Sequence, residues 1–474
     1  MEMKQLVDLS KLKGFVYQGS EIYGGLANAW DYGPYGSMLK ENIKNAWIKN
    51  FVQKRSDMVL LDAAILMNPN VWVASGHVSS FSDPLMECRD CHTRHRADKL
   101  VEEAIEKDAQ FPVPTNWAGD KTPNEDFNAY VQAGHIPCPN CGKKNWTDIQ
   151  RFNLMLSTHQ GVTEDSTSLV YLRPETAQGI FVNFANVARS SRKKVPFGIA
   201  QCGKAFRNEI TPKNFIFRTR EFEQIEIEYF CEPGTDEKFF QEWHDEESKF
   251  FTETLGLKKD HVRFVEIPKE GLPHYSKRAG DFEYLFPFGW GEISTLANRT
   301  DFDLKAHMGL SKQDLSYVTQ ELVGDQQVTK KYLPYVIEPS IGLSRLTLAS
   351  LADAYDEVKM EDGTTRIVMR FPNNIAPVKI AILPLVKKLG AEAMGVFRLL
   401  SEHFACEYDE AGAIGKRYYR ADEAGMPYAI CVDSENFEQR QVTVRDRDTG
   451  TQETVKMDEL VEFFRGKGCY TKLH

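Results

Sequence analysis

Residues 197–230 read FGIAQCGKAFRNEITPKNFIFRTREFEQIEIEYF, and this stretch decides the fold. We interpret it as a strand, a loop and a second, antiparallel strand, in which successive side chains point to opposite faces. The first arm groups three polar residues on one face, Gln201, Arg207 and Glu209. The second arm separates a charged and aromatic face from an apolar one: Phe222, Gln224, Glu226 and Glu228 against Ile225, Ile227 and Tyr229.

The two faces of this strand pair predict different surroundings. The apolar face should pack on a core. The polar face combines arginine, glutamate and phenylalanine, and the connecting loop adds Arg218 and Arg220. A half-solvated sheet would usually carry mixed Lys, Glu and Thr. The pattern alone leaves two interpretations open: a half-solvated sheet face, or the floor of a pocket for a phosphorylated, aromatic ligand.

A second chemical signal lies at residues 335–355, YVIEPSIGLSRLTLASLADAY, which predict a strand, a turn and a helix. Arg345 follows the turn at Gly342 and falls in the first helical turn, where free backbone N–H groups and the helix dipole favour anions. A solvent-facing arginine near a helix start is common, but the dipole disfavours it. An anionic ligand is therefore the better explanation of Arg345.

The remaining sequence predicts more than one domain. The 474 residues exceed the ~250–300 at which a single core stops growing. A helix is expected from about Gly36 to Lys54, with an apolar face at Leu39, Ile43, Trp47 and Phe51, and a short strand then ends at Pro69. Another helix is expected near Glu237–Leu255. After Pro377 strands and helices alternate, which indicates a separate α/β domain.

Composition excludes a membrane-spanning protein and favours a cytoplasmic one. No apolar run approaches the ~20 residues needed to cross a bilayer, and the N-terminus lacks a signal-peptide core. The net charge of −10 argues weakly against nucleic-acid binding. Two basic stretches, 189–194 (RSSRKK) and 416–420 (KRYYR), could contact phosphates or simply be solvated.

Four of the nine cysteines form two C-x-x-C pairs, Cys88/Cys91 and Cys138/Cys141, separated by residues 92–137. In a cytosolic chain such pairs indicate metal binding before disulfide formation. Four thiolates suit a tetrahedral, structural Zn²⁺, and free thiols are the alternative. Three nearby histidines could replace a cysteine but are more simply bystanders: His92, His95 and His135.

Three signatures occur in order along the chain: the helix and strand that end at Pro69, Arg207-Asn208-Glu209 followed by FRTREF, and Gly342 to Arg345. In this order and spacing they resemble the three motifs of class II aminoacyl-tRNA synthetases. Longer stretches resemble the dimeric glycyl type, including YGGLANAWDYGPYG, RADKL, YLRPETAQGIF and ANRTDFDL. The resemblance covers essentially the whole chain.

The resemblance implies an α+β architecture around a six-stranded antiparallel catalytic sheet flanked by helices. The implied division is residues 1–86 for the N-terminal part of the catalytic domain, 87–150 for an inserted zinc-knuckle module, 151–374 for the ATP and glycine site, and 375–474 for an α/β anticodon-binding domain. A twofold homodimer is also implied. We expect its interface to contain the apolar helix face at Leu39, Ile43, Trp47 and Phe51 together with the strand that follows it to Pro69.

The resemblance also implies an ATP site. Arg207, Glu209 and Arg345 would be the catalytic residues: Arg207 on the α-phosphate, Glu209 on the adenine amino group, and Arg345 and Phe222 on opposite faces of adenine. Glu292 would hold Mg²⁺. The full set of implied ATP-binding residues is Arg207, Asn208, Glu209, Phe217, Arg218, Thr219, Arg220, Glu221, Phe222, Glu292, Ile293, Gly342 and Arg345.

The implied glycine site holds the ammonium group by charge and excludes larger amino acids by shape. Glu175, Glu226 and Glu338 would surround the ammonium, and Arg299 would close the side where a methyl group projects. The implied set is Arg96, Glu175, Phe222, Gln224, Glu226, Arg299, Glu338 and Ser340. Without the resemblance, Glu175 could equally be an acid at a helix N-terminus.

The expected function is glycine--tRNA ligase activity for protein synthesis, with ATP, glycine and tRNA(Gly) as substrates. A synthetase for threonine, proline or histidine is one rival, which the three glutamates disfavour. A non-catalytic binding subunit is the other. It should have lost ATP-site residues, yet Arg207, Glu209, Glu292 and Arg345 are all present.

Overall fold

A computed structural model describes residues 1–108, 110–162, 164, 167–210, 213–323, 326–360 and 362–469. Its largest sheet has seven strands, numbered here β1–β7 in chain order. They are β1 (Met58–Leu61), β2 (Phe197–Phe206), β3 (Glu221–Cys231), β4 (Val262–Glu266), β5 (Arg278–Phe286), β6 (Gly289–Thr300) and β7 (Tyr335–Gly342).

The spatial order of this sheet is β4-β5-β6-β7-β3-β2-β1. Six strands pair antiparallel, as expected. The seventh, β1, adds at one edge and pairs parallel with β2. β1 ends at Leu61, and Pro69 lies eight residues later, where it precedes the short helix Asn70–Ala74. The predicted strand end at Pro69 is therefore wrong, because the chain leaves the sheet once pairing with Gln201 is complete.

The alternation predicted for β3 is confirmed. Ile225, Ile227 and Tyr229 lie in the main hydrophobic core, whereas Phe222, Gln224 and Glu226 line a pocket on the other face. On β2, Gln201 is within the strand, but the strand ends at Phe206. Arg207 and Glu209 thus belong to the following loop. The Arg207 amide still donates to the Arg220 carbonyl (2.9 Å), which holds the loop against its partner.

The predicted N-terminal helix runs from Pro34 to Ile48 and continues as a π-helical turn, Lys49–Gln53. Leu39, Ile43, Trp47 and Phe51 are at most 1% exposed within the single chain. The prediction that this face forms the dimer contact is therefore wrong. The helix packs on the helix Leu343–Ala354, and in the π-helical turn the ring of Phe51 lies 5.7 Å from that of Trp243 on the helix Asp236–Lys249.

The strand, turn and helix predicted at residues 335–355 are confirmed. Strand β7 ends at Gly342, which is also the N-cap of the helix Leu343–Ala354. That helix is almost entirely buried and packs on the core side of β3 and β6. Arg345 lies in its first turn, at the end of β7 nearest the polar pocket.

The four paired cysteines lie in a small module built on a three-stranded sheet of Ser82–Glu87, Arg94–Arg96 and Gln150–Asn153. Two helices cover it, Ala97–Lys107 and Asn124–Gln132. Its core is separate from the main one and centres on Trp146, whose indole N–H donates to the Ile136 carbonyl (2.9 Å). The module therefore has a hydrophobic core of its own beside the cysteines.

The C-terminal part forms a five-stranded mixed sheet in the order Cys406–Tyr408, Ile380–Pro384, Tyr428–Val432, Gln441–Asp446, Gln452–Lys456. The helices are Gly390–Ser401, Ile414–Glu423, Ser434–Glu438 and Leu460–Gly466. The alternating pattern predicted here is confirmed. Residues 470–474, the end of the predicted C-terminal domain, lie outside the described residues.

Buried polar contacts fasten this C-terminal part to the preceding chain. Arg447 donates to the carbonyls of Met369 (3.0 Å) and Phe371 (2.9 Å). Asp422, on the helix Ile414–Glu423, forms an ion pair with Arg366 and accepts hydrogen bonds from Arg445. Within the described residues, no helix is long and apolar enough to cross a membrane.

Smaller elements complete the fold beside the seven-stranded sheet, the cysteine module and the C-terminal sheet. The remaining helices are Met3–Lys13, His77–Ser80, Ala177–Ser191 and Phe302–Ser311. The remaining strands form four two-stranded hairpins: Val16–Gln18 with Trp30–Tyr32, Leu156–His159 with Leu169–Leu172, Tyr317–Val323 with Gln326–Tyr332, and Tyr355–Lys359 with Thr365–Met369.

Candidate active site

A polar pocket lies on the face of the central sheet opposite the main core. Strands β3, β6 and β7, the loop after β2 and the start of the helix Leu343–Ala354 contribute its walls. It is lined by Glu175, Arg207, Glu209, Phe217, Arg218, Thr219, Phe222, Glu223, Gln224, Glu226, Tyr275, Glu292, Thr295, Arg299, Glu338, Ser340, Gly342, Ser344 and Arg345.

Five of the residues implied by the resemblance do not line this pocket. Asn208 and Arg220 line a neighbouring groove against the cysteine module. The Ile293 side chain is fully buried on the core face, because alternation along β6 turns it away from Glu292. Glu221 is exposed and pairs with Lys204. Arg96 pairs with Asp83 (2.9 Å) and Asp98 (2.6 Å) in the cysteine module.

One end of the pocket is rich in arginines and aromatic rings. The guanidinium of Arg207 lies 5.3 Å from the ring of Phe222. The guanidinium of Arg345 lies 4.5 Å from the ring of Phe217 and donates to Glu292 (2.7 Å). The rings and guanidinium planes provide flat surfaces beside positive charge. This end of the pocket suits a ligand with an aromatic base and phosphate groups.

The other end of the pocket is acidic. Glu226 is buried, and its two oxygens accept hydrogen bonds from the hydroxyls of Ser340 (2.6 Å) and Thr176. Burial, together with the nearby Glu175 charge, raises the pKa of Glu226. Glu338 lies on β7 and accepts from Arg299 (2.8 Å). The carboxylates of Glu226 and Glu338 thus line the same end of the pocket, and this end suits a small cation.

Arg299 is held rigidly between these acids and an aromatic ring. It donates to both oxygens of Asp303 (2.7 and 2.9 Å), and its third nitrogen donates to Glu338. Its guanidinium lies 4.1 Å from the ring of Tyr275. Because every nitrogen has a partner, the side chain can act as a fixed wall of the acidic end.

Glu175 has a partner that the sequence did not indicate. Its Oε2 lies 3.3 Å from His77 Nε2, and its Oε1 accepts from Gln178 (2.9 Å). Burial opposes ionisation, but His77 and Arg299 together lower the pKa of Glu175 below its usual range. Glu175 also precedes the helix Ala177–Ser191, so the pocket and helix-start interpretations are compatible.

Sequence reasoning also missed Tyr275, Thr295, Ser344 and Glu223, which line the same pocket. Glu223 is displaced by one position from the polar alternation of β3. Ser344 lies within the Gly342 to Arg345 signature without an expected role, and no motif contains Tyr275 or Thr295.

The four paired cysteines converge as predicted. The Sγ atoms of Cys88 and Cys141 are 3.6 Å apart, and those of Cys91 and Cys138 are 3.7 Å apart. All four sulfurs lie within 4.8 Å of one another. Tetrahedral Zn²⁺ with ~2.3 Å bonds separates its sulfurs by about 3.8 Å, so the cluster fits this ion.

The nearby histidines are not needed for this tetrahedron. His95 Nε2 is 4.0 Å from Cys138 Sγ, His92 pairs with Glu87, and His135 stacks on Tyr130. Hydrogen bonds with Thr93 and Asn140 lower the pKa of the Cys91 thiol to about 5, which favours the thiolate form that binds metals.

The basic run 416–420 lies on the helix Ile414–Glu423, and only part of it is accessible. Arg417 is 3% exposed and donates to the carbonyls of Pro384 (2.5 Å) and Leu385. Arg420 pairs with Asp409 (2.5 Å). The interpretation of Arg417 as a phosphate contact is therefore wrong, because helical periodicity turns it inward. Lys416 and Tyr419 remain exposed.

Comparison with known proteins covers both large parts of the chain. Residues 161–354 match the tRNA synthetase class II core domain (G, H, P, S and T), and residues 379–467 match the anticodon binding domain family. The chain is 56% identical over 465 residues to the glycine--tRNA ligase of Acetivibrio thermocellus. It is 54% identical over 466 residues to those of Ruminiclostridium cellulolyticum and Clostridium acetobutylicum, with 98% of both chains covered in each comparison. At this identity over nearly the full length, the chain belongs to the glycine--tRNA ligase family of class II tRNA synthetases.

Proposed function

We propose that this chain activates glycine with ATP to glycyl-adenylate and pyrophosphate, and then transfers the glycyl group to the 3′ end of tRNA(Gly). The observation that carries this proposal is the division of one pocket into two ends. Arg207, Arg218 and Arg345 line one end, and Glu175, Glu226 and Glu338 line the other. A phosphate-rich ligand and a small ammonium ion can therefore meet in a single cleft.

The chemistry requires no protein nucleophile. A carboxylate oxygen of glycine attacks the α-phosphorus of ATP in line, the bond to the bridging oxygen breaks, and pyrophosphate leaves. A terminal ribose hydroxyl of tRNA then attacks the glycyl carbonyl and AMP leaves. The protein contributes positioning and neutralisation of phosphate charge. Arg207 would bind the α-phosphate, since its guanidinium lies beside Phe222 in the pocket and its planar group can bind two phosphate oxygens.

The adenine would lie among the aromatic side chains of the arginine-rich end. We place Phe222 on one face of the base and Arg345 on the other, with Phe217 holding the Arg345 guanidinium from behind. Glu209 would accept from the adenine amino group. Its carboxylate lies 3.2 Å from Arg218, which would orient it and contact phosphate in turn.

Glu292 would bind Mg²⁺ at the exposed side of the pocket. Its side chain is 44% exposed and pairs with Arg345. Burial and the Glu292 charge raise the pKa of Asp281 to about 6, as expected for two carboxylates near one another. Mg²⁺ favours such carboxylates together with phosphate oxygens, and it would neutralise charge on the leaving pyrophosphate.

Glycine selection follows from the acidic end. Glu175, Glu226 and Glu338 would hold the ammonium group, and Ser340 would fix Glu226 through its 2.6 Å hydrogen bond. Arg299 and the ring of Tyr275 would stand where a side chain larger than hydrogen projects. A wall locked by three hydrogen bonds to carboxylates cannot easily move aside for a methyl group.

The test of this function is amino-acid-dependent exchange of pyrophosphate into ATP by the purified protein. We expect exchange with glycine and only background exchange with threonine, proline, histidine or alanine. Equal exchange with alanine would refute the proposed role of Arg299 and Tyr275. Exchange with threonine, proline or histidine but not glycine would replace the substrate assignment.

We further propose that Cys88, Cys91, Cys138 and Cys141 hold one structural Zn²⁺ per chain. Purified without added metal, the protein should contain about one zinc. Cys141→Ser should lose the metal and lower the melting temperature of the module, because metal binding and folding are coupled. Cys202→Ala, which removes an isolated thiol, is the control and should keep the zinc. A metal-free protein with four titratable thiols in the folded module would contradict the proposal.

We propose that the C-terminal part, from about residue 375, recognises the anticodon. It matches an anticodon-binding family and has its own hydrophobic core. Lys416 and Tyr419 offer an exposed cation and an exposed ring, the groups that contact phosphates and unstacked bases in single-stranded RNA. Arg417 is excluded from this role by its burial.

We also propose that the protein is a cytoplasmic homodimer. The helix face expected at the interface is buried, so the contact would use the strand that is also expected there and other exposed apolar residues. The loop between the strands Val16–Gln18 and Trp30–Tyr32 exposes Ile22 (89%), Tyr23 (87%) and Leu26 (62%). The edge strand β1 exposes Leu60 (52%). Large exposed apolar side chains favour contact with another subunit. A reducing compartment suits the nine free cysteines.

A further inference from the structure

Glu228 is a buried carboxylate that the proposed mechanism does not use. It lies on β3 two residues beyond Glu226, on the same face, and its exposure is 0%. Neither of its oxygens has a hydrogen-bond partner among the described residues. It does not line the pocket but lies directly behind it, between the acidic end and the apolar cluster that contains Phe230 and Ile199.

The register of the sheet places Glu228 beside a second acid. Glu226 pairs with Ser340 and Tyr229 pairs with Ile337, so Glu228 stands opposite Glu338 on β7. On the other side its neighbour is Ile199 of β2. Carboxylate oxygens of Glu226, Glu228 and Glu338 all lie within 4.8 Å of one another. Like charges directly opposite on adjacent strands are destabilising.

The charges that face Glu228 cannot offset its ionisation. They are Glu338 from β7, Arg299 from β6, Glu226 from its own strand and Asp303 from the helix Phe302–Ser311. Arg299 is the single cation among them, and its nitrogens already donate to Asp303 and Glu338. Burial, and next the Glu338 charge, raise the pKa of Glu228 well above its usual range.

We propose that Glu228 and Glu338 share one proton, and that Glu228, as a neutral acid, donates it to Glu338 and orients that carboxylate for the glycine ammonium. This inference rests on the proposed role of Glu338 in glycine binding. Glu338 Oε1 already accepts from Arg299, so the shared proton engages the remaining acceptor capacity of this carboxylate. A carboxylic acid kept neutral by apolar surroundings can serve as a hydrogen-bond donor in an active site. Glu228 is a positioning residue, since it acts through Glu338.

Two substitutions separate this role from simple packing. Glu228→Leu removes the donor but suits the apolar neighbours, so it should leave the melting temperature equal or higher while raising the KM for glycine about tenfold, with the KM for ATP unchanged. Glu228→Gln keeps a donor and should restore most of the glycine affinity. The proposal fails if Glu228→Leu leaves the glycine KM unchanged, or if Glu228→Gln is as impaired as Glu228→Leu.

A second measurement tests the proton itself without activity. The folded state keeps a proton that an unfolded glutamate, with a pKa of about 4.3, releases. Wild-type stability should therefore fall as pH rises from about 4.3 through the raised pKa of the pair, and Glu228→Gln should lack this loss. The gap in melting temperature between Glu228→Gln and wild type should widen over that window. A constant gap would overturn the shared proton.

The two measurements also distinguish this inference from the proposed function. If wild-type protein exchanged no pyrophosphate with glycine, the function would fail, while the pH dependence of the melting temperatures would still decide whether the proton is present. If glycine exchange were normal and the gap constant, the function would stand and the shared proton would be wrong.

Discussion

Replacing Arg299 with methionine is expected to destabilise the protein by about 3–5 kcal/mol and to raise the KM for glycine at least tenfold. Arg299 is the single cation that donates to both Asp303 and Glu338 within the described residues, at 2.7 to 2.9 Å. Removing one partner of a buried ion pair leaves uncompensated charge, which costs far more than the pair contributes. Methionine fills a similar volume, so the effect isolates the lost charge.

The measurement is urea unfolding of wild type and variant, followed by glycine-dependent pyrophosphate exchange. Arg263→Met is the matched control. Arg263 also pairs with a carboxylate, Glu283 (2.6 Å), but its side chain is 47% exposed. An exposed pair of this kind contributes about 0–1 kcal/mol. If the two substitutions lowered the free energy of unfolding equally, burial would not explain the contribution of Arg299 to stability.

The sequence predicts those parts of the site that depend on local periodicity. Alternation along β3 separates Ile225 and Ile227 from Glu226 because successive side chains of any strand point to opposite faces. A second local pattern, a turn at Gly342 followed by helical sequence, places Arg345 in the first turn of the helix. These predictions need no knowledge of what lies across the sheet, which is why they are confirmed.

Two predictions failed because they depend on residues that are distant in the sequence. The apolar face of the helix Pro34–Ile48 shows that some surface covers it, but not which one. The structure supplies the helix Leu343–Ala354, about 300 residues later, in place of a second subunit. Arg417 is similar: its charge suggests RNA, but neighbouring carbonyls that only tertiary folding brings near fix it inside.

His77 shows the same limit within the pocket. It pairs with Glu175 across about 100 residues of sequence, and it lies in a segment, WVASGHVSSF, without a recognisable motif. Only the return of the chain to the sheet brings the two together. The resemblance to known synthetases identified Glu175 but could not indicate what holds its charge in place.

Glu226→Gln is expected to raise the KM for glycine ten- to a hundredfold while leaving ATP binding largely intact. Glu226 is buried, and its oxygens are held by the hydroxyls of Ser340 and Thr176. Replacing it with glutamine keeps the size but removes the charge that faces the ammonium. Loss of a charge-assisted hydrogen bond costs ~1.5–3 kcal/mol, which corresponds to this range of affinity.

The effect should be confined to glycine because Glu226 lies at the acidic end, whereas the residues proposed to hold ATP lie around Phe217 and Arg345. Glycine and ATP titrations of the exchange reaction would give the two KM values separately. Glu266→Gln, which changes an exposed carboxylate on the edge strand β4, is the control and should change neither. If Glu226→Gln raised both KM values together, the substitution would have disturbed the whole pocket. If it raised neither, the ammonium would be held by Glu175 and Glu338 without Glu226.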